Sequence, residues 1–135
     1  MLILDTHIWL WWVNQTPKRL PIEIVKLIEQ TEFVAISAIS CFEVAWLYEH
    51  ERIHLEIPVQ KWISQATEDA QIICLPVSCM IASLAAALPE HHKDPQDRII
   101  IATAISHETQ LVSADSKFSE YKEIEGVLKI GRAHV

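Results

Sequence analysis

Four acids stand out by their positions along the chain. Asp5 closes the apolar run MLIL, and Glu43 follows the run FVAIS by a few residues. Asp97 stands in HHKDPQDRIII, residues 91–101, and Asp115 comes just after QLVS. In an open parallel sheet, ligands bind beyond the carboxyl ends of the strands. If these runs belong to one such sheet, all four acids face one edge of the molecule. Gathered carboxylates repel one another and raise one another's pKa unless cations neutralise them. Hard oxygen ligands select Mg2+ or Mn2+ over zinc. Divalent ions held this way can activate water and stabilise the attacking and leaving oxygens in phosphodiester hydrolysis.

Each acid also has a plain structural explanation. In DPQD, Asp94 reads as a helix N-cap, Pro95 as the first helical residue and Asp97 as the third. Ser40-x-x-Glu43 reads as a capping box. Asp115 fits a turn in SADS. Asp5 is the hardest to explain in this way. It ends a buried run and has no helix to cap, unless residues 7–13 form one. Singly these explanations hold; four acids at one edge weigh toward a cation site.

The elements that must position these acids follow from periodicity and from chain breakers. Residues 1–4, 33–37, 72–75, 110–113 and 127–130 read as strands. Residues 7–13, 22–30, 40–51, 58–69, 78–88 and 95–108 read as helices, with Pro17 and Pro21 as breaks. Strands alternate with helices, which argues an α/β fold with a mostly parallel central sheet of about five short strands. No linker or repeat interrupts the pattern, so residues 1–130 are expected to form one domain.

Composition narrows the function classes. At 135 residues, half of them hydrophobic and only two glycine, the chain suits one compact core. Its apolar runs are too short to span a bilayer. MLILDTH has no basic region ahead of its acid, so no signal peptide is expected and the protein is placed in the cytoplasm. Cys41, Cys74 and Cys79 are odd in number and form no CxxC, which predicts buried free thiols. The formal net charge of −7 argues against nonspecific nucleic-acid binding. It is compatible with an enzyme acting on nucleic acid through divalent cations. The closing IGRAHV matches one reading frame of a common sequencing adapter, so residues 131–135 are expected to be a non-native tail.

Trp9, Trp11 and Trp12 crowd one short helix. Trp9 and Trp12 share a face, but three such rings do not all fit inward. An exposed remainder would suit a partner surface. Trp46 and Trp62 are expected in the core.

In four blocks the chain resembles the PIN-domain ribonucleases, most closely the VapC-type toxins of bacterial and archaeal toxin–antitoxin pairs. The blocks are LILDTHIWLWW, SAISCFEVAWL, HHKDPQDRIIIATA and LVSADSKF. They come in the family's order and span nearly the whole chain. The resemblance implies a single PIN-like domain with a nuclease site of Asp5, Glu43, Asp97 and Asp115. It implies Mg2+ or Mn2+ held mainly by Asp5 and Asp97. Glu43 would bind metal or orient water, and Asp115 would complete the site. Thr6 and Ser113 would support the ligands, with Asp94 as cap or supporting acid. Lys93, Arg98 and Lys117 flank these acids and are candidates for RNA contacts, or else solvated surface charges.

The implied reaction is endonucleolytic hydrolysis of RNA, leaving a 5′-phosphate and a 3′-hydroxyl. The implied partners are a second copy of the chain and an antitoxin, with DNA met only through the antitoxin. LILDTH does not fit a haloacid dehalogenase start, which wants a second aspartate where His7 stands, and a receiver domain's acidic pair and lysine are missing. A housekeeping RNA-processing PIN nuclease and a catalytically silent PIN-like binding module remain as alternatives.

Overall fold

The computed structural model describes residues 1–15, 20–90 and 94–113, with the backbone of 128–130. The chain runs β1 (Leu2–Leu4), α1 (Thr6–Val13), α2 (Ile22–Gln30), β2 (Val34–Ser37), α3 (Ala38–Glu49) and α4 (Val59–Ser64). It continues with β3 (Ile72–Leu75), α5 (Cys79–Ala87), α6 (Pro95–Ser106), β4 (Gln110–Ser113) and β5 (Leu128–Ile130). The five strands form one sheet in the order β3-β2-β1-β4-β5. Every pairing is parallel, with Leu2 opposite both Val34 and Gln110. The carboxyl ends of the strands therefore lie along one edge, as the alternating pattern predicts.

The sheet is covered on both faces, as parallel sheets require. Alternation along each strand sorts the side chains. Leu2, Leu4, Val34, Ile36 and Val112 join the core under α1, α2, α3 and α4. Ile3, Ala35 and Leu111 point the other way and join Ile81, Ala85, Ile100 and Ile101 under α5 and α6.

Trp9 is fully buried and organises the first of these cores. Its ring meets Trp62 edge-on at 5.0 Å. The Trp62 indole N–H donates to Asn14 Oδ1 at 2.9 Å, which ties α4 to the end of α1. The expected helix over 58–69 changes winding partway: Gln65–Asp69 is a π-turn, closed by Ala70 N donating to Gln65 O at 3.0 Å. Gln71 N turns back to Glu68 O instead of Ala66 O, and the Ala66 carbonyl accepts the Trp9 indole N–H at 2.9 Å. A π-turn thus supplies the acceptor that a buried indole needs.

Several expectations need correction. The helix after β2 starts at Ala38, and its N-cap is Ser37, whose hydroxyl accepts from Ile39 N. Ser40 therefore sits inside the first turn, and Ser40-x-x-Glu43 is no capping box. Trp46 is 41% exposed, because its face of α3 turns away from the sheet; there it stacks on His50 at 3.9 Å. The cysteines are free, but Cys74 on edge strand β3 and Cys79 at the start of α5 are exposed, and only Cys41 is half-buried. Burial and the neighbouring Cys74 thiol push the Cys41 thiol up to about 12. Among the described residues, no helix is long and apolar enough to cross a membrane. The tail, 131–135, lies outside the described residues.

The chain ends helices without glycine. Gln15, Glu51, Gln71 and Glu108 all have φ between 50° and 57°, one residue past a helix cap. At Glu51 and Glu108 the flanking bonds complete a Schellman closure: Arg52 N to Leu47 O at 2.8 Å, and Thr109 N to Ala104 O at 3.1 Å.

Candidate functional site

Asp5 is the centre of the site and is built into the backbone on both sides. Its N–H continues the β1–β4 ladder to Val112 O at 2.9 Å. Its carboxylate caps α1, with Oδ1 accepting from Ile8 N at 2.9 Å. The other oxygen, Oδ2, accepts from the Ser113 hydroxyl at 2.5 Å. The capping role left open for Asp5 is therefore real, and it leaves the carboxylate at the mouth of the sheet edge. Capping and ligation are compatible, because each carboxylate oxygen has two lone pairs.

Glu43 reaches the same place from α3. Thr6 Oγ1 lies 2.8 Å from Glu43 Oε1 and 2.9 Å from Ser40 Oγ. A hydroxyl has one proton, and an ionised carboxylate only accepts. Thr6 therefore gives its proton to Glu43 and receives one from Ser40. Thr6 and Ser40 are both buried, so this short relay fixes the carboxylate without help from solvent. The Glu43 pKa is raised, first by burial and further by the Asp5 and Asp94 charges; the Thr6 bond and the His7 charge work against that rise.

Asp94 and Asp97 come from α6. Asp94 is the N-cap, accepting from Gln96 N at 3.0 Å, and Pro95 follows as the first helical residue. Asp97 lies in the first turn. Asp5, Thr6, His7, Glu43, Asp94 and Asp97 together line a cavity of about 100 Å³. The structure thus brings three of the four expected acids to one cavity, with Asp94 beside them. Asp115 lies outside the described residues, as do Lys93 and Lys117.

Arg98 is not a solvated surface charge. Its side chain is 12% exposed and its guanidinium turns to Glu90, with Nη1 at 3.4 Å from Oε1. Of the tryptophans, Trp9 is core, while Trp11 and Trp12 are half-buried. These two line a separate groove of about 680 Å³ with Val13, Leu20, Val25 and Gln65 among its walls.

Two site residues were missed by the sequence reading. His7 shares the cavity, two residues past Asp5 in LDTH. Ser40 stands three residues before Glu43, on the same helix face. The spacing was visible in both cases, but the partner across the cavity was not.

The donor chemistry fits a hard divalent cation. All the carboxylates are oxygen donors, and the Asp5 and Asp94 charges add to the burial that raises the Glu43 pKa. Among the described residues, no three of these groups stand close enough to hold an ion by themselves.

The comparisons with known proteins bear on the family. Residues 2–124 match the PIN domain family. The chain is 40% identical over 121 residues to "Ribonuclease VapC22" of Mycobacterium tuberculosis, covering 89% of this chain and 91% of that protein. Among solved structures it is similar to VapBC2 from Rickettsia felis bound to a promoter DNA fragment. There the TM-score is 0.69 at 17% identity, covering 97% of this chain and 99% of that one. A toxin–antitoxin complex from Klebsiella pneumoniae gives a TM-score of 0.62 at 20% identity, covering 96% of each chain. Fold and sequence lead to one assignment: the chain belongs to the PIN-domain family and, within it, to the VapC-type ribonuclease toxins.

Proposed function

We propose that this chain cuts RNA endonucleolytically in the cytoplasm at the cavity of Asp5, Glu43 and Asp97, with Asp115 completing the site. The observation that carries the reading is the convergence of those three acids, from three separate elements, on one small cavity. Asp5 and Asp97 would hold Mg2+ or Mn2+. When bound, the cation supplies water activation and neutralises charge on the phosphate. Glu43, with its raised proton affinity, suits accepting a proton from the attacking water. Thr6 and Ser40 hold Glu43 in place, and Ser113 does the same for Asp5. Asp94 starts the helix that aims Asp97.

The toxin role implies an antitoxin. The groove at Trp11 and Trp12 would take its apolar face, and a basic side chain of the partner would reach the acids. A net charge of −7 leaves any DNA contact to the antitoxin. In a homodimer, the exposed Phe42 and Trp46, one turn apart on α3, would be covered. Residues 1–130 would act as one domain.

The test is RNA cleavage by the purified chain, freed of partner, in Mg2+ or Mn2+, with EDTA and Asp97→Asn as controls. Discrete fragments that vanish in both controls support the reading. Cleavage that survives Asp97→Asn but not EDTA moves the ligand role to Asp94.

A further inference from the structure

The acid cavity faces a substrate that is itself an anion. Something must offer the phosphate a donor, and the cation alone meets only one phosphate. Among the described residues lining the cavity, Asp5, Glu43, Asp94 and Asp97 are acids and Thr6 already serves Glu43. His7 is the remaining side chain with a donor to offer.

Its placement suits that task. His7 lies in the first turn of α1, directly after Asp5 and Thr6, and its side chain is exposed. Its ring leans on Trp11 one turn later, with centroids 5.9 Å apart and planes at 54°. Trp11 is half-buried and packed against the first core, so it backs the imidazole on one side. The free side of the ring is left to the cavity and the solvent. It lines the same cavity as Asp5, Glu43, Asp94 and Asp97. Arg98, the sequence-level candidate beside Asp97, is turned to Glu90 instead.

We infer that His7 is a substrate-binding residue of the nuclease site, donating a ring N–H to the RNA phosphate next to the one that is cut. The inference rests on the RNA-cleaving reading given above. It does not depend on the ring's charge, because a neutral imidazole still has one N–H donor. A contact to a neighbouring phosphate is made equally in the ground state and the transition state. Its loss therefore raises KM and leaves kcat little changed.

The experiment uses a 5′-fluorescein-labelled single-stranded oligoribonucleotide of mixed sequence. Steady-state cleavage in Mg2+ is compared for the parent chain, His7→Ala, His7→Gln and His7→Phe, with thermal melting as a check that each folds. His7→Ala is expected to raise KM about tenfold, the loss of one hydrogen bond to a charged group. His7→Gln, which keeps an N–H donor, is expected to recover most of that loss. His7→Phe, which keeps the ring against Trp11 but has no donor, is expected to behave like His7→Ala. Fluorescence anisotropy of the same RNA is measured in parallel in an Asp97→Asn background, where the same order of affinities is expected. Unchanged KM and affinity in His7→Ala overturn the inference. Recovery by His7→Phe but not His7→Gln also overturns it, in favour of base stacking. Absence of cleavage by the parent chain would instead count against the nuclease reading, and the anisotropy series would still score His7.

Discussion

The Thr6 hydroxyl stands between Ser40 and Glu43, 2.9 Å from one oxygen and 2.8 Å from the other. Thr6 belongs to the first turn of α1 and Glu43 to α3, so one proton joins two helices at the site. A hydroxyl bonded to a carboxylate in this way orients it for binding metal or accepting a proton.

Ser40→Ala should therefore weaken RNA cleavage without unfolding the chain. The expected loss is about ten- to a hundredfold, in the range of such supporting contacts. Ser40→Thr, which keeps the hydroxyl, should recover most of it. A separate readout is Mn2+ affinity by electron paramagnetic resonance, which should fall in Ser40→Ala. Equal activity and equal Mn2+ affinity in both variants would show that the relay does not matter.

Glu43 gives a prediction in pH. Burial raises its pKa in the folded chain above the ordinary 4.5, so folding disfavours its ionised form. Below the ordinary value both states hold the proton and the folded chain suffers no penalty. As pH rises through that value, the unfolded chain loses its proton first and stability falls, until the folded carboxyl ionises too. In EDTA, Glu43→Gln should melt above the parent at pH 7, with the difference closing near pH 4. The same variant should not cut RNA. A melting difference that is constant with pH would disprove the sign.

Trp9 and Ala66 make a stability prediction. Trp9→Phe keeps an aromatic ring in the core but leaves the buried Ala66 carbonyl without its indole partner. The cost should be about 1–3 kcal/mol for the unsatisfied acceptor, plus the smaller ring. Urea denaturation measures it. A loss near zero would mean that the π-turn rewinds to α-helix and satisfies Ala66 itself, which amide hydrogen exchange at residues 65–71 would report.

Glu108 offers the opposite change. It closes α6 at φ 50°, a conformation costly for any residue with a Cβ. It also puts a negative charge at the negative end of the helix. Glu108→Gly should stabilise the chain by about 1 kcal/mol, read as a higher urea midpoint at an unchanged slope. A destabilised variant would mean that the Glu108 side chain makes a favourable contact outweighing both terms.

Much of this architecture was legible in local pattern. Apolar runs separated by helical periodicity predict the alternation of strands and helices, and DPQD announces the start of α6, cap and proline included. Those features depend on neighbours within a turn or two, which a linear reading can see. The acids could be placed at strand ends for the same reason.

What packing decided lies farther apart along the chain. Ser113 meets Asp5 across 108 residues, and Thr6 meets Glu43 across 37. Trp9 is buried and Trp46 half in solvent, although both are tryptophans in apolar helices, because only one of those helix faces meets the sheet. Ser40 looked like a cap, but α3 begins at Ala38, directly after Ser37, the last residue of β2 paired with β3. His7 became part of the site only when α3 and α6 closed around it. Periodicity says which faces a segment has; which of them meets a given partner is decided by the assembled sheet.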